Sequence, residues 1–165
     1  MKISILNKTN SNELEALINE VEENLKDKRF WLPIGDVSRN HFFDSSWTIF
    51  FGAFEDDRLI GAIGLFLNEN EYGESQKSIN MQDKKIAEVG RIMCHPEYRH
   101  KGVASCLMEE LLRYSGGLDL DYLLATVHPH NEPSQRLLKK YGFIKEGYII
   151  KSEDYERDIL IKGVE

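Results

Sequence analysis

Val89-Gly90-Arg91-Ile92-Met93-Cys94-His95-Pro96-Glu97-Tyr98-Arg99-His100-Lys101-Gly102-Val103-Ala104 reads as a strand, a short turn and the start of a helix. Ile86 to Cys94 is mostly apolar, and its Val and Ile favour a strand. Pro96 has no N–H for a ladder and ends it. From Val103 the pattern turns helical, with Val103, Leu107, Leu111 and Tyr114 three or four residues apart. Three residues that can carry positive charge, Arg99, His100 and Lys101, stand between strand and helix and are followed by Gly102. A helix start offers unpaired N–H groups and the positive end of the dipole, so this turn is a ready place for a phosphate. Gly102 has no Cβ, and Ala104 is small, so a ligand can reach the backbone.

Arg99-x-x-Gly102-x-Ala104, after a strand ending Cys94-His95-Pro96-Glu97-Tyr98, resembles the acyl-CoA signature of the GNAT superfamily of N-acetyltransferases. A second block about thirty residues on, Asn131-x-x-Ser134 with Leu137-Leu138-Lys139-Lys140-Tyr141-Gly142-Phe143, is similar to that family's other cofactor block. The resemblance covers almost the whole chain. It implies an α/β (mixed α+β) acyl-CoA N-acyltransferase-like fold, a single domain over residues 1–165 with a twisted mixed sheet flanked by helices. It also implies transfer of an acetyl group from acetyl-CoA to a primary amine by direct attack in a ternary complex. The cofactor-binding residues it points to are Ile92, Met93 and Cys94 on the strand, Arg99, His100, Lys101, Gly102, Val103 and Ala104 at the turn, and Asn131. An Asn side chain both donates and accepts, which suits an amide-rich ligand; capping the following helix is an equal role for Asn131.

The resemblance makes Glu88 the candidate general base. Plain strand alternation puts Glu88 on the face of Ile92 and Cys94, about 13 Å along the strand, so a water relay is expected rather than direct contact. The competing reading is a salt-bridged or partly exposed Glu88 beside Lys84 and Lys85. The tyrosine that often protonates the leaving thiolate in this family is replaced by Leu138. Tyr141 is about 60° away around the helix and is expected to pack in the core with its hydroxyl satisfied. Leu138 is also what sustains a rival reading, an acyl-CoA-binding regulatory or interaction protein with weak or no catalysis.

The 165 residues carry a formal charge of −7, with 41% hydrophobic and 30% charged residues. This is a globular composition, and the acidic balance argues against a nucleic-acid binder. Cys94 and Cys106 form no Cys-x-x-Cys pair and are expected to be small buried hydrophobes in a reducing, cytoplasmic compartment. No signal peptide and no membrane span are expected. His95, His128 and His130 lack carboxylate or thiolate companions at metal spacing, so no metal is expected. The expected partners are acetyl-CoA and an amine acceptor, small molecule or protein; a homodimer is left open.

The rest of the chain supplies a frame. Lys2 to Leu6 reads as a strand, and Leu14, Leu17, Ile18, Val21 and Leu25 form one helical stripe. Trp47–Phe54 and Arg58–Leu67 form a hairpin around Glu55-Asp56-Asp57, with Gly61 and Gly64 marking a bulge or close approach. Asn68 to Asp83 is expected to be a long acidic loop. Tyr122–Val127 is a strand buried on both faces and parallel to the one before it. Phe143–Ile150 and Tyr155–Ile161 close the sheet through Ser152-Glu153-Asp154. Phe30, Trp31, Phe42 and Phe43 either close one end of the core, the commoner role of large aromatics, or line the acceptor side; His41–Phe43 is read as part of a short helix.

Overall fold

The computed structural model describes residues 1–152 and 154–165; Glu153, expected in the closing turn, lies outside them. The decisive stretch folds as read. Strand β4 (Ile86–Cys94) ends at His95, a single 3-10 turn spans Pro96–Tyr98, and helix α4 runs Val103–Ser115. Ahead of it lie β1 (Lys2–Ile5), α1 (Ser11–Glu23), a short α2 (Asp36–Asn40), β2 (Thr48–Glu55), β3 (Arg58–Phe66) and α3 (Glu69–Ser78). After it come β5 (Tyr122–Val127), α5 (Glu132–Lys140), β6 (Ile144–Lys151) and β7 (Tyr155–Gly163).

The seven strands form one mixed sheet in the order β1-β2-β3-β4-β5-β7-β6. Among the described residues only β4 and β5 pair in parallel, as a strand–helix–strand unit requires. The β2–β3 hairpin turns on Asp56 (φ +48°) and Asp57 (φ +65°), two left-handed residues of the kind that suit a two-residue hairpin.

Each face of the sheet is covered differently. Val103, Leu107, Met108 and Leu111 of α4 pack on Phe51, Ile63, Leu65 and Val89, joined by Leu138 and Phe143. Leu14, Leu17, Ile18 and Val21 of α1 pack on the opposite face, on Phe50, Ala62, Phe66 and Met93. Farther along that second face, α3 presses Tyr72 onto Ile86, Leu124 and Ile159. The close fit of α4 depends on Gly61, where a Cβ would lie 2.6 Å from Val103 Cγ1.

Three sequence expectations change. Residues 69–78 are a helix rather than loop: Asn68 caps it by accepting from Asn70 N at 2.9 Å, Glu69 and Glu71 sit in the first turn, and Tyr72, Ser75 and Gln76 are buried. The segment reads as loop because its inward face is largely polar; Gln76 Nε2 donates to Met81 O at 2.8 Å and Lys84 O at 3.0 Å. His41–Phe43 is the turn after α2, not part of a helix. The α1 stripe stops before Leu25, because α1 ends at Glu23 and Asn24 Nδ2 donates back to Glu20 O at 2.8 Å.

Candidate active site

β4 and β5 pair only at Ile86–Tyr122, Ala87–Leu123 and Glu88–Leu124. β4 continues to Cys94 against β3 and β5 to Val127 against β7, but beyond Glu88 they no longer pair with each other. The sheet therefore splits in its middle. A cleft of about 870 Å³ runs through the split, walled by Gly90, Arg91, Ile92 and Cys94 on one side and Ala125–Val127 on the other. Backbone groups facing a cleft still need partners, so the split favours an extended ligand that carries its own amides.

At one end of the cleft lies the start of α4. Gly102 is left-handed (φ +78°) and its helix has no side-chain cap; the first intrahelical bond is Cys106 N to Gly102 O, 3.0 Å. The N–H groups of Val103, Ala104 and Ser105 thus have no partner within the helix. Arg99 and His100 (φ +62°) are exposed and line the same cleft. Lys101 departs from expectation: its Nζ lies 5.2 Å from the Tyr98 ring centroid, and the residue lines a separate small cavity with Met1 and Glu55. Ile92 and Cys94 line the cleft; the Met93 side chain is 1% exposed in the α1 cluster, and its backbone, which is what the resemblance points to in this stretch, stays on the strand.

Asn131 lines the cleft and caps α5, its Oδ1 accepting from Ser134 N at 3.5 Å. Leu138 is buried and also reaches the cleft wall. Tyr141 is half-buried, and its hydroxyl donates to Ser105 O at 3.3 Å, tying the end of α5 to the start of α4.

Glu88 lies across the strand from where alternation puts it. Gly64 pairs with Gly90 but Ala62 pairs with Met93, so β4 carries one extra residue, and Arg91 there is left-handed (φ +52°). This β-bulge reverses the alternation. Glu88 sits opposite Phe66 on the α1 face, whereas Cys94 sits opposite Gly61 on the α4 face. Burial pushes the Glu88 carboxyl up to about 6; Lys151 and Arg91 pull it down, and Glu71 pushes it up. Lys84 and Lys85 make no ion pair with it among the described residues.

The aromatic group read as either core end or acceptor side divides between the two, and sequence reasoning missed the arginines that hold it. A strap around a 3-10 turn (Lys28–Phe30) brings Phe30, Trp31 and Leu32 to the cleft, while Phe42 joins the core. Two arginines from separate strands hold the strap. Arg91 Nη1 donates to Leu32 O with its guanidinium 4.7 Å from the Trp31 ring centroid. Arg157 Nη1 donates to Arg29 O at 2.9 Å and Glu156 O at 2.7 Å. A lone arginine inside each strand pattern was the available signal.

His128 is buried, with Nδ1 accepting from His130 N at 3.0 Å. His95 Nδ1 accepts from Glu97 N at 3.2 Å. Among the described residues, no three His, Cys, Asp or Glu side chains converge as a metal site. Cys94 and Cys106 are free and half-buried, less enclosed than expected, and burial pushes the Cys94 thiol up. No described helix is long and apolar enough to cross a membrane.

Comparison with known proteins agrees with this geometry. The Bacillus subtilis protein YwnH, provisionally described as a phosphinothricin acetyltransferase, is 32% identical over 111 residues, covering 61% of this chain and 68% of YwnH. The crystal structure of a ribosomal-protein-alanine N-acetyltransferase from Brucella melitensis superposes with a TM-score of 0.76 at 14% identity, covering 99% of this chain and all of the other. The structure of yncA from Salmonella typhimurium, solved with its cofactor acetyl-CoA, gives 0.75 at 13% identity over 100% of this chain and 94% of that one. The model of the acetyltransferase (GNAT) family matches residues 13–143, which include the split strands and both cofactor blocks, and the chain belongs to that family of acetyl-CoA-dependent N-acetyltransferases.

Proposed function

We propose that this enzyme acetylates the primary amine of an acceptor by direct attack within a ternary complex. The observation that carries the reading is the split between β4 and β5, opened beside an uncapped helix start. The residues present fit acetyl-CoA. Unpaired N–H groups at Val103–Ser105, with Arg99 and His100, suit its phosphates, and the free edge of β4 from Gly90 to Cys94 suits its amide-bearing arm. Asn131 adds a donor and an acceptor beside that arm. Bound acetyl-CoA supplies the activated acyl group.

Glu88 takes the proton. Burial sets its carboxyl near 6, so it is ionised at neutral pH yet close enough to the working pH to act as a base. It lies on the α1 face, so the acceptor enters under the strap and the proton passes through water to Glu88. The amine nitrogen gains a bond to the acyl carbon, the carbon–sulfur bond breaks, and solvent protonates the thiolate. Leu138 offers no proton, and the Tyr141 hydroxyl is already bonded to Ser105 O. The two free thiols fit a reducing cytoplasmic setting.

The test is acetyl-CoA turnover, followed as thiol release, across a panel of amines including amino acids, polyamines and protein N-termini. Acceptor-dependent release that falls steeply in Glu88→Gln supports the reading. Acetyl-CoA binding without release for any amine favours a binding protein instead.

A further inference from the structure

The chain has eight arginines. Among the described residues, five sit within ion-pair distance of a carboxylate: Arg29, Arg39, Arg58, Arg113 and Arg136. The other three, Arg91, Arg99 and Arg157, all line the cleft. Arg99 stands at the start of α4, where the donor's phosphates are expected. Arg91 and Arg157 do not share that place. Arg157 pairs with Ile149 in register, and Ile149 packs against Tyr72, Leu124 and Ile159, on the sheet face away from α4. Arg91 stacks on Trp31 of the strap, which belongs to the same face.

We infer that Arg91 and Arg157 form an anion subsite for the acceptor, so that the substrate is an amine that also bears a carboxylate, phosphonate or phosphinate group. This rests on the acetyl-transfer reading above and narrows its acceptor class. Arg157 is 4% exposed, and its assigned partners are neutral carbonyls, Arg29 O and Glu156 O. The assigned partner of Arg91 is also a carbonyl, Leu32 O. Carbonyls hold a guanidinium in place without neutralising it: Glu88 and Glu71 offset the charge of Arg91 from beyond ion-pair distance, whereas Arg157 is buried with no carboxylate within that distance among the described residues, and a buried unpaired charge is costly. Burial lowers the pKa of Arg91 most, Glu88 and Glu71 raise it, and Arg157 lowers it, so the two guanidinium charges also repel. An anion between them removes both penalties, and a guanidinium fork is the donor geometry such groups take. Glu71 and Glu88 line the same cleft and complement the ammonium of the same acceptor. The pattern suits a zwitterion better than a polycation, which would meet two arginines that have no ion-pair partner among the described residues.

The experiment measures kcat/KM by thiol release for the common L-amino acids and short aminoalkylphosphonates, each paired with its carboxamide or uncharged counterpart, with spermidine as a polycation. The expected result is a preference of about tenfold or more for the anionic member of a pair, falling toward one in Arg157→Met and separately in Arg91→Gln. Equal or better use of amides or spermidine overturns the anion subsite while leaving acetyl transfer standing. If no amine is turned over, thermal unfolding in saturating CoA decides. Stabilisation of the native chain by the anionic amines, lost in Arg157→Met, keeps the subsite and discards the transferase reading; no stabilisation by any of them overturns the subsite.

Discussion

Glu88 and Cys94 are six residues apart on one strand, an even spacing, yet they stand on opposite faces of the sheet. The extra residue at Arg91 causes this, and it places the candidate base on the α1 side and the cysteine wall on the α4 side. One strand thus serves both compartments of the cleft.

Replacing Glu88 by Gln should separate stability from activity. A carboxyl whose pKa is raised by folding, from 4.5 to about 6, binds its proton more tightly in the folded state. Its effect therefore favours folding at low pH and is lost as pH rises from 4.5 toward 6, leaving an ionised buried group that costs about 2 kcal/mol at neutral pH. Glu88→Gln should be more stable than the native chain at pH 7.5 by up to that amount, measured by urea unfolding. Its kcat should fall by about 10²-fold or more, and the native rise in rate centred near pH 6 should disappear.

Arg99 and Lys101 should behave unequally although both flank Gly102. Arg99 lines the cleft, while Lys101 lies against Tyr98 outside it. Acetyl-CoA at about 100 times its dissociation constant should stabilise the native chain by about 2.7 kcal/mol. Thermal unfolding should show that shift much reduced in Arg99→Glu and largely kept in Lys101→Glu. Equal loss in both would contradict the placement of Lys101.

Two roles of Asn131 can be told apart by substitution. Asn131→Ala should cost about 1 kcal/mol by removing the cap on α5 and should also weaken acetyl-CoA binding. Asn131→Ser restores a capping oxygen but not the amide. It should recover the unfolding midpoint while the weakened binding, read by calorimetry, persists.

Gly61→Ala tests how closely α4 must approach the sheet. The added methyl would meet Val103 Cγ1 at 2.6 Å and Met93 O at 3.0 Å. Relief requires moving the first turn of α4, so stability should drop by about 1–3 kcal/mol. Acetyl-CoA affinity should drop with it, since Val103 belongs both to the packing and to the turn proposed to hold the phosphates. An affinity unchanged in a destabilised variant would show that the turn adjusts independently of its packing.

What could be read from the sequence follows the range of the interactions involved. The β4–turn–α4 unit, the Asp56-Asp57 hairpin turn and the Asn131 cap depend on neighbouring residues, and their residue types announce them. The bulge at Arg91 depends on how Gly64 and Ala62 lie opposite, which alternation within β4 does not reveal. Helix α3 was hidden because Ser75 and Gln76 fill inward positions where a periodic apolar stripe would be sought. The arginine pair was hidden for a third reason: Arg91 and Arg157 are far apart in sequence, and the fold brings both to the strap, by way of Leu32 O and Arg29 O. The same bulge turns the Met93 side chain into the α1 core, which alternation within β4 does not reveal either.

The three residue pairs that join β4 to β5 make the sheet a book of two leaves on a short spine, β1–β4 on one side and β5, β7 and β6 on the other. The strap is a clasp across the open edge, fastened to one leaf by Arg91 and to the other by Arg157. Acetyl-CoA bound as proposed would stand in for the rungs the spine lacks. Occupancy would then be part of the architecture: substrate concentration would set how firmly the two halves of the protein are bound to each other.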